Sequence, residues 1–259
     1  MIQPLYVFSG LLVGLLVGIT GVGGGSLMTP LLILVFGIHP STAVGTDLLY
    51  ASVTKTVGTG VHGFHRNIDW KIVTRLAAGS VPSTSLTIIT LSYIGATGKS
   101  MNALISLVLG ITVMITAVTL LLKGPILRFA MKRNPDFGAR SPVYLTVLTG
   151  IILGVLVSIS SVGAGALGTT ALMFLYPRLP TAKIIGSDIA HAVPLTLIAG
   201  LGHWWLGSIN FPLLISLLCG SIPGIIIGSV STRRIPEAII RPLLAAVLIL
   251  VSVKLLYGG

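Results

Sequence analysis

Two stretches of this chain put glycines and hydroxyls where a membrane segment should run unbroken. The first is Gly18-Ile19-Thr20-Gly21-Val22-Gly23-Gly24-Gly25-Ser26-Leu27. It returns 140 residues later as Ser158-Ile159-Ser160-Ser161-Val162-Gly163-Ala164-Gly165-Ala166-Leu167. Glycine costs up to about 1 kcal/mol per residue in a helix interior. An unpaired backbone group in hydrocarbon costs several kcal/mol more. The helix must therefore break at each cluster, and the break must lie inside protein or line a polar cavity. Ser26 and Thr29 follow the first break and can cap or open the next half-helix. Thr169 follows the second, which also offers Ser160, Ser161 and the 163–165 backbone. A half-helix that starts at such a point presents free N–H groups and a positive dipole end. Two facing ends form a site for a small anion, built from neutral donors. Thr20, Gly21, Gly23, Gly24, Gly25, Ser26 and Thr29 belong to one, and Ser160, Ser161, Gly163, Gly165 and Thr169 to the other. The competing reading is close helix packing through small residues. The coincidence of both clusters with helix breaks favours the site.

Ionisable residues stand near these breaks. Gly45-Thr46-Asp47 reappears as Gly186-Ser187-Asp188 at an offset of 141. Intramembrane carboxylates are expensive and point to function. Asp47 and Asp188 can carry a coupling proton, help bind a cation such as sodium, or hold the glycine break by accepting backbone N–H bonds. Lys55 is the one basic residue in the middle of a membrane segment, and its repeat mate is Thr196. It can attract an anion, pair with Asp47, or snorkel to the surface. His191 lies three residues beyond Asp188, on nearly the same helix face. It can relay protons or serve as a hydrogen-bonded bundle histidine. Thr46, Asp47, Lys55, Ser187, Asp188 and His191 are thus the coupling and gating candidates. His62 and His203 end equivalent segments and read as interfacial. No metal-ligand or nucleophile–base spacing occurs, so no metal, cofactor or enzymatic activity is expected.

The elements that must position these residues are membrane helices. Charged residues make up 8% of 259 residues, against about 25% in a soluble domain. Mean hydropathy is +1.04. The net charge of +11 does not signal nucleic acid, because the basic residues sit in short connections where orientation signals belong. The single cysteine, Cys219, reads as a buried small hydrophobe. Residues 1–4 carry no basic n-region and do not read as a removable signal peptide. The expected organisation is one integral membrane domain over 1–259. Its internal repeats are about 1–123 and 142–259, joined by a basic cytoplasmic linker at 124–141.

Six segments read as full crossings: 41–62, 71–95, 100–123, 181–203, 211–231 and 237–257. The pieces 5–19, 26–37, 143–158 and 166–176 read as half-length helices meeting near mid-membrane. If each split region crossed once, eight basic residues would face one side and six the other. If each is a hairpin, the halves become inverted repeats and the count is thirteen against two. The positive-inside rule prefers the hairpins, although two short tilted crossings give the same sidedness. The fold class is therefore an all-α polytopic membrane protein of two inverted repeats. Each repeat has a glycine-broken helical hairpin and three transmembrane helices, the architecture of secondary transporters.

The chain also resembles a known family. The resemblance is carried by the stretch from Gly18 through Met28-Thr29-Pro30, by Gly45-Thr46-Asp47, by Gly60-Val61-His62-Gly63-Phe64 with Arg66-Asn67-Ile68-Asp69-Trp70, and by Gly79-Ser80-Val81-Pro82. These residues resemble the sulfite exporter TauE/SafE family, also called TSUP, and the likeness continues through the second copies. It implies a transporter of sulfite, a sulfonate, sulfoacetate or a related small anion, in a bacterial inner membrane. The second copy departs from the pattern at Ser161, Ala164 and Ala166, so an asymmetric site is expected. Composition and resemblance together lead to a secondary active transporter of a small anion, driven by a coupling proton or sodium. The alternatives are a passive anion channel and a carrier of small carboxylates; a membrane-embedded enzyme or assembly factor is weaker. Apolar faces leave a homodimer open.

Overall fold

The computed structural model describes residues 3–20, 25–64, 66–94, 99–132, 141–231 and 237–257. Among these the regular structure is α-helix throughout. The helices are α1 (Pro4–Thr20), α2 (Gly25–Leu34), α3 (Pro40–Phe64), α4 (Trp70–Ile94), α5 (Lys99–Lys132), α6 (Ser141–Ser160), α7 (Ala166–Leu175), α8 (Thr181–Trp205), α9 (Phe211–Ser231) and α10 (Glu237–Tyr257).

Both glycine breaks reverse the chain. The Tyr6 ring, in the first turn of α1, meets Phe36 just past α2 edge-on at 4.8 Å. In the second half Thr146, early in α6, shares a 2.7 Å hydrogen bond with the Tyr176 hydroxyl just past α7. Each pair of helices therefore enters and returns at the same end. The arms are unequal. α2 and α7 have 10 residues each, about 15 Å. The reading of 143–158 as a half-length helix needs correction, because Val143–Ser160 is long and apolar enough to cross a membrane. Serines 158 and 160 are accommodated in the helix, their hydroxyls donating to the carbonyls four residues back.

Five helices are long and apolar enough to span: Trp70–Tyr93, Met101–Ile126, Val143–Ser160, Thr181–Trp205 and Phe211–Gly228. α3 has the length, with 25 residues, but Asp47, Lys55 and a run of hydroxyls lower its hydropathy because it lies in the protein interior. α10 is apolar over Pro242–Tyr257. α5 continues beyond the expected 100–123 to Lys132, with Pro125 inside it. Its 34 residues extend about 51 Å, longer than a hydrocarbon core of about 30 Å, and Arg128 beyond Pro125 is exposed.

Glycines fix how the helices meet. α1 lies on α9 and α6 lies on α4. A methyl group at Gly10 or Gly14 of α1 would strike the backbone of Leu217 or Ser221, and one at Gly220 would strike Val7 and Leu11. The equivalent crossing joins Gly79 of α4 to Val147 and Ile151, and Gly150 and Gly154 of α6 to Leu76 and Ser80. Small-residue packing is thus the role of the repeated Gly79-Ser80 and Gly220-Ser221 motifs. The central pair, α3 and α8, runs antiparallel: Gly45 lies beside His203 and Gly186 beside His62.

The outer surface is apolar, as a bilayer demands, and the interior mixes apolar clusters with buried hydroxyls. Ile111, Ile115, Val118 and Leu122 form one exposed stripe of α5, whereas Thr112 and Thr116 are buried. Trp204 and Trp205 are exposed near one end of the bundle and Trp70 near the other, as in interfacial aromatic belts. Cys219 lies on the exposed face of α9, which corrects its reading as a buried residue. In a membrane protein an apolar residue gains as much from facing lipid as from facing the core.

Candidate functional site

The repeated Gly-Thr/Ser-Asp motif does three different jobs on one helical turn. Gly45 lets the carbonyl of Ser208 come against α3, and Gly186 does the same for Asn67 on α8. The hydroxyl beside each glycine receives a backbone N–H from that same loop. Asn210 donates to Thr46 Oγ1 at 3.1 Å, and Asp69 donates to Ser187 Oγ at 2.8 Å. Each loop after a central helix is thereby pinned to the start of the other central helix. The loop geometry repeats as well. Arg66 and Gly207, equivalent by position, both adopt positive φ, 54° and 71°. They close bonds from Asn67 to His62 and from Ser208 to His203. Thr46→Ala and Ser187→Ala should each lower stability by about 1 kcal/mol. The two losses should add to within about 0.5 kcal/mol, because the sites lie at opposite ends of the antiparallel pair. Thermal unfolding in detergent measures both.

The third residue reaches the hairpins, and here the halves diverge. Asp47 is fully buried. Its Oδ2 accepts from Thr29 Oγ1 at 2.5 Å and from Ser161 Oγ at 2.9 Å. One carboxylate thus ties α2 of the first hairpin to the turn of the second, and Ser161 adopts positive φ, 59°, to reach it. Oδ1 has no partner.

Asp188 is equally buried, yet neither of its oxygens completes a hydrogen bond. It lies against the start of α7. It faces the Gly165 backbone N–H and presses on Gly168, where an added methyl group would overlap Oδ1. No side chain caps α7.

Lys55 is buried at 5% exposure, so its ammonium stays inside rather than snorkelling. Nζ donates to the Ala164 carbonyl in the second glycine turn at 3.2 Å. The ionisable groups that face it are Asp188 and Asp47. Its repeat mate Thr196 satisfies itself on Ala192 O, so the cation belongs to one half only. Among the described residues Lys55 thus lies near two buried aspartates, with three of their four oxygens left without a hydrogen-bond partner. Buried charges left this way bind something small or hold one another.

The remaining predicted residues shape the turn. Ser160 Oγ donates to Leu156 O and accepts from Val162 N–H. Thr169 Oγ1 donates to Gly165 O. Gly163 and Gly165 have φ of 130° and 128°, values closed to other residues. Ser26 is buried at the start of α2, whose first residue is Gly25. Gly21, Gly23, Gly24 and the Thr20 side chain lie outside the described residues. His191 Nε2 shares a 2.8 Å bond with Ser80 Oγ while Nδ1 has no partner. In the other half the equivalent side chains, Tyr50 and Ser221, face each other. His203, expected at the interface, is buried and bonds Ser158 O through Nε2 at 2.9 Å. Sequence reasoning had missed Ser80 and Ser158. The repeat of Gly-Ser-x-Pro against Tyr50 and His191 was the available signal for Ser80. Among the described residues no cluster of three or more His, Cys, Asp or Glu suits a metal ion.

Apolar-surfaced helices enclosing buried ionisable residues, with two helical hairpins packed among them, define a multi-pass membrane protein of the transporter class. The chain belongs to the sulfite exporter TauE/SafE family, which it matches over residues 6–255. It is 38% identical over 254 residues to the probable membrane transporter protein YjnA of Bacillus subtilis (strain 168), covering 96% of this chain and 98% of the relative. It is 27% identical over 234 residues to the probable membrane transporter protein YdhB of the same organism, covering 89% and 90%. It is 24% identical over 206 residues to the probable membrane transporter protein MJ0441 of Methanocaldococcus jannaschii, covering 78% and 72%. No solved structure matches the chain. By family and relatives this is a membrane transporter.

Proposed function

We propose that the protein is a secondary active carrier of a small sulfur oxyanion such as sulfite, a sulfonate or sulfoacetate. The observation that carries this reading is Lys55, a buried ammonium bonded into the turn of a broken helix. An oxyanion there would receive the unused N–H donors of Lys55 and the uncapped start of α7. Thr29, Ser161 and Asp47 hold the two hairpins against each other, so the same contacts that shape the site can report its occupancy to both halves.

Access would alternate by movement of two inverted repeats, about 1–123 and 142–259. The antiparallel run of their central helices supports this, as does the exchange of partners between α1–α9 and α6–α4. The hairpin ends place Arg66, Lys71, Arg75, Arg178 and Lys183 at one end of the bundle. By the positive-inside rule that end faces the cytoplasm.

Purified protein in proteoliposomes tests the reading. Labelled sulfite, methanesulfonate, sulfoacetate and a small dicarboxylate are offered with and without an inward proton or sodium gradient. Saturable, gradient-driven uptake of a sulfur oxyanion is the expected result. Flux that never saturates means a channel, uptake of the dicarboxylate alone means a carboxylate carrier, and no flux of any compound rejects transport of these anions.

A further inference from the structure

The two repeat-equivalent aspartates do not share a role. Asp47 accepts two hydroxyls and joins the hairpins. Asp188 has no hydrogen-bond partner at either oxygen, is 0% exposed, and points its carboxylate at the uncapped start of α7. That is where the proposed function seats the substrate anion, so the inference rests on that reading. A helix start that favours one negative charge cannot hold a second one close by without strong repulsion at low dielectric. Lys55 is the charged group of α3 that faces Asp188. Asp47 lies nearer the start of α3, within reach of the same side chain. Gly165, just before α7, and Gly168 within it lie against the carboxylate, α4 contributes the Ser80 hydroxyl bonded to His191, and His191 stands on α8 itself. One ammonium cannot neutralise two carboxylates and a substrate.

We infer that Asp188 is the resident anion of the substrate site, and that a proton taken up on its carboxylate frees the start of α7 and Lys55 for the substrate oxyanion. Coupling is then competition. The ionised carboxylate and the substrate exclude each other, and the protonated acid and the substrate bind together, so anion and proton move in the same direction. A metal cation fits this place poorly. Lys55 and the Gly165 N–H face the carboxylate, and two such donors repel a cation. Asp47 remains a structural tie and carries no transported proton.

Two measurements test this. The first uses the wild-type protein: calorimetric titration with methanesulfonate, whose own charge is constant over the range, in buffers of different ionisation enthalpy. About one proton should be taken up per anion bound, and by linkage binding should weaken as pH rises. Binding without proton uptake overturns the inference. The second compares Asp188→Asn, a permanently neutral isostere, with Asp188→Glu. In Asp188→Asn, methanesulfonate binding at alkaline pH should tighten about tenfold and lose its pH dependence. The ratio of uptake with and without a proton gradient should fall to about one, and Asp188→Glu should restore it. Uptake by Asp188→Asn that still follows the proton gradient overturns the inference while leaving the anion carrier intact. A wild-type protein that moves none of sulfite, methanesulfonate and sulfoacetate overturns the carrier reading itself.

Discussion

Lys55→Thr abolishes anion uptake and leaves the protein folded in the membrane. Threonine is what the other half carries at the same place, Thr196, where its hydroxyl bonds the carbonyl four residues back. At position 55 that carbonyl belongs to Ala51, so the substituted side chain can satisfy itself in the same way. What disappears is the one ammonium described inside the central pair. A charge-assisted hydrogen bond contributes up to roughly 3 kcal/mol, so uptake falls about 100-fold. Initial rates in proteoliposomes, normalised to protein reconstituted, measure it. Uptake within about threefold of wild type would remove Lys55 from the site. A collapse of thermal stability without the rate effect would instead make Lys55 a counter-charge for the aspartates.

Gly220→Leu destabilises the protein more than any substitution at the candidate site. A first carbon atom at Gly220 already collides with the backbone of Val7 and Leu11, and backbone cannot rotate away as a side chain can. α1 and α9 would have to separate along their crossing, losing dispersion contacts that have no hydrophobic substitute in lipid. Overpacking costs 1–3 kcal/mol in ordinary cores, and about 3 kcal/mol is expected here. Gly79→Leu, its equivalent on the α4–α6 crossing, should cost the same. Gly60→Leu meets open space and serves as the control. Unfolding midpoints in detergent decide it, and equal midpoints for Gly220→Leu and Gly60→Leu would refute the packing role.

Much of this was readable from the chain because membrane physics writes in large letters. Backbone cannot stay unpaired in lipid, so the clusters at 21–25 and 161–165 had to mark breaks. Basic residues had to gather on one side, which selected hairpins over single crossings. What the sequence did not reveal was orientation around each helix axis. Apolar residues face lipid and protein alike, so Cys219 gave no sign of its exposed face. The lengths of the hairpin arms were hidden because Ser158 and Ser160 look like a helix end until their hydroxyls are seen bonding back into α6. The different fates of Asp47 and Asp188 were illegible for a similar reason. Their local sequences match, and the difference lies in distant partners, Thr29 and Ser161 for one and Gly165 and Gly168 for the other.

The central claim is a carrier whose one anion site opens to either side in turn, and counterflow tests it most directly. Proteoliposomes are loaded with unlabelled sulfite and diluted into a trace of labelled sulfite, with no ion gradient. A carrier exchanges one for the other, so label should rise transiently well above its equilibrium level before decaying. A monotonic approach to equilibrium, with no overshoot at any loading, would contradict alternating access and leave a pore.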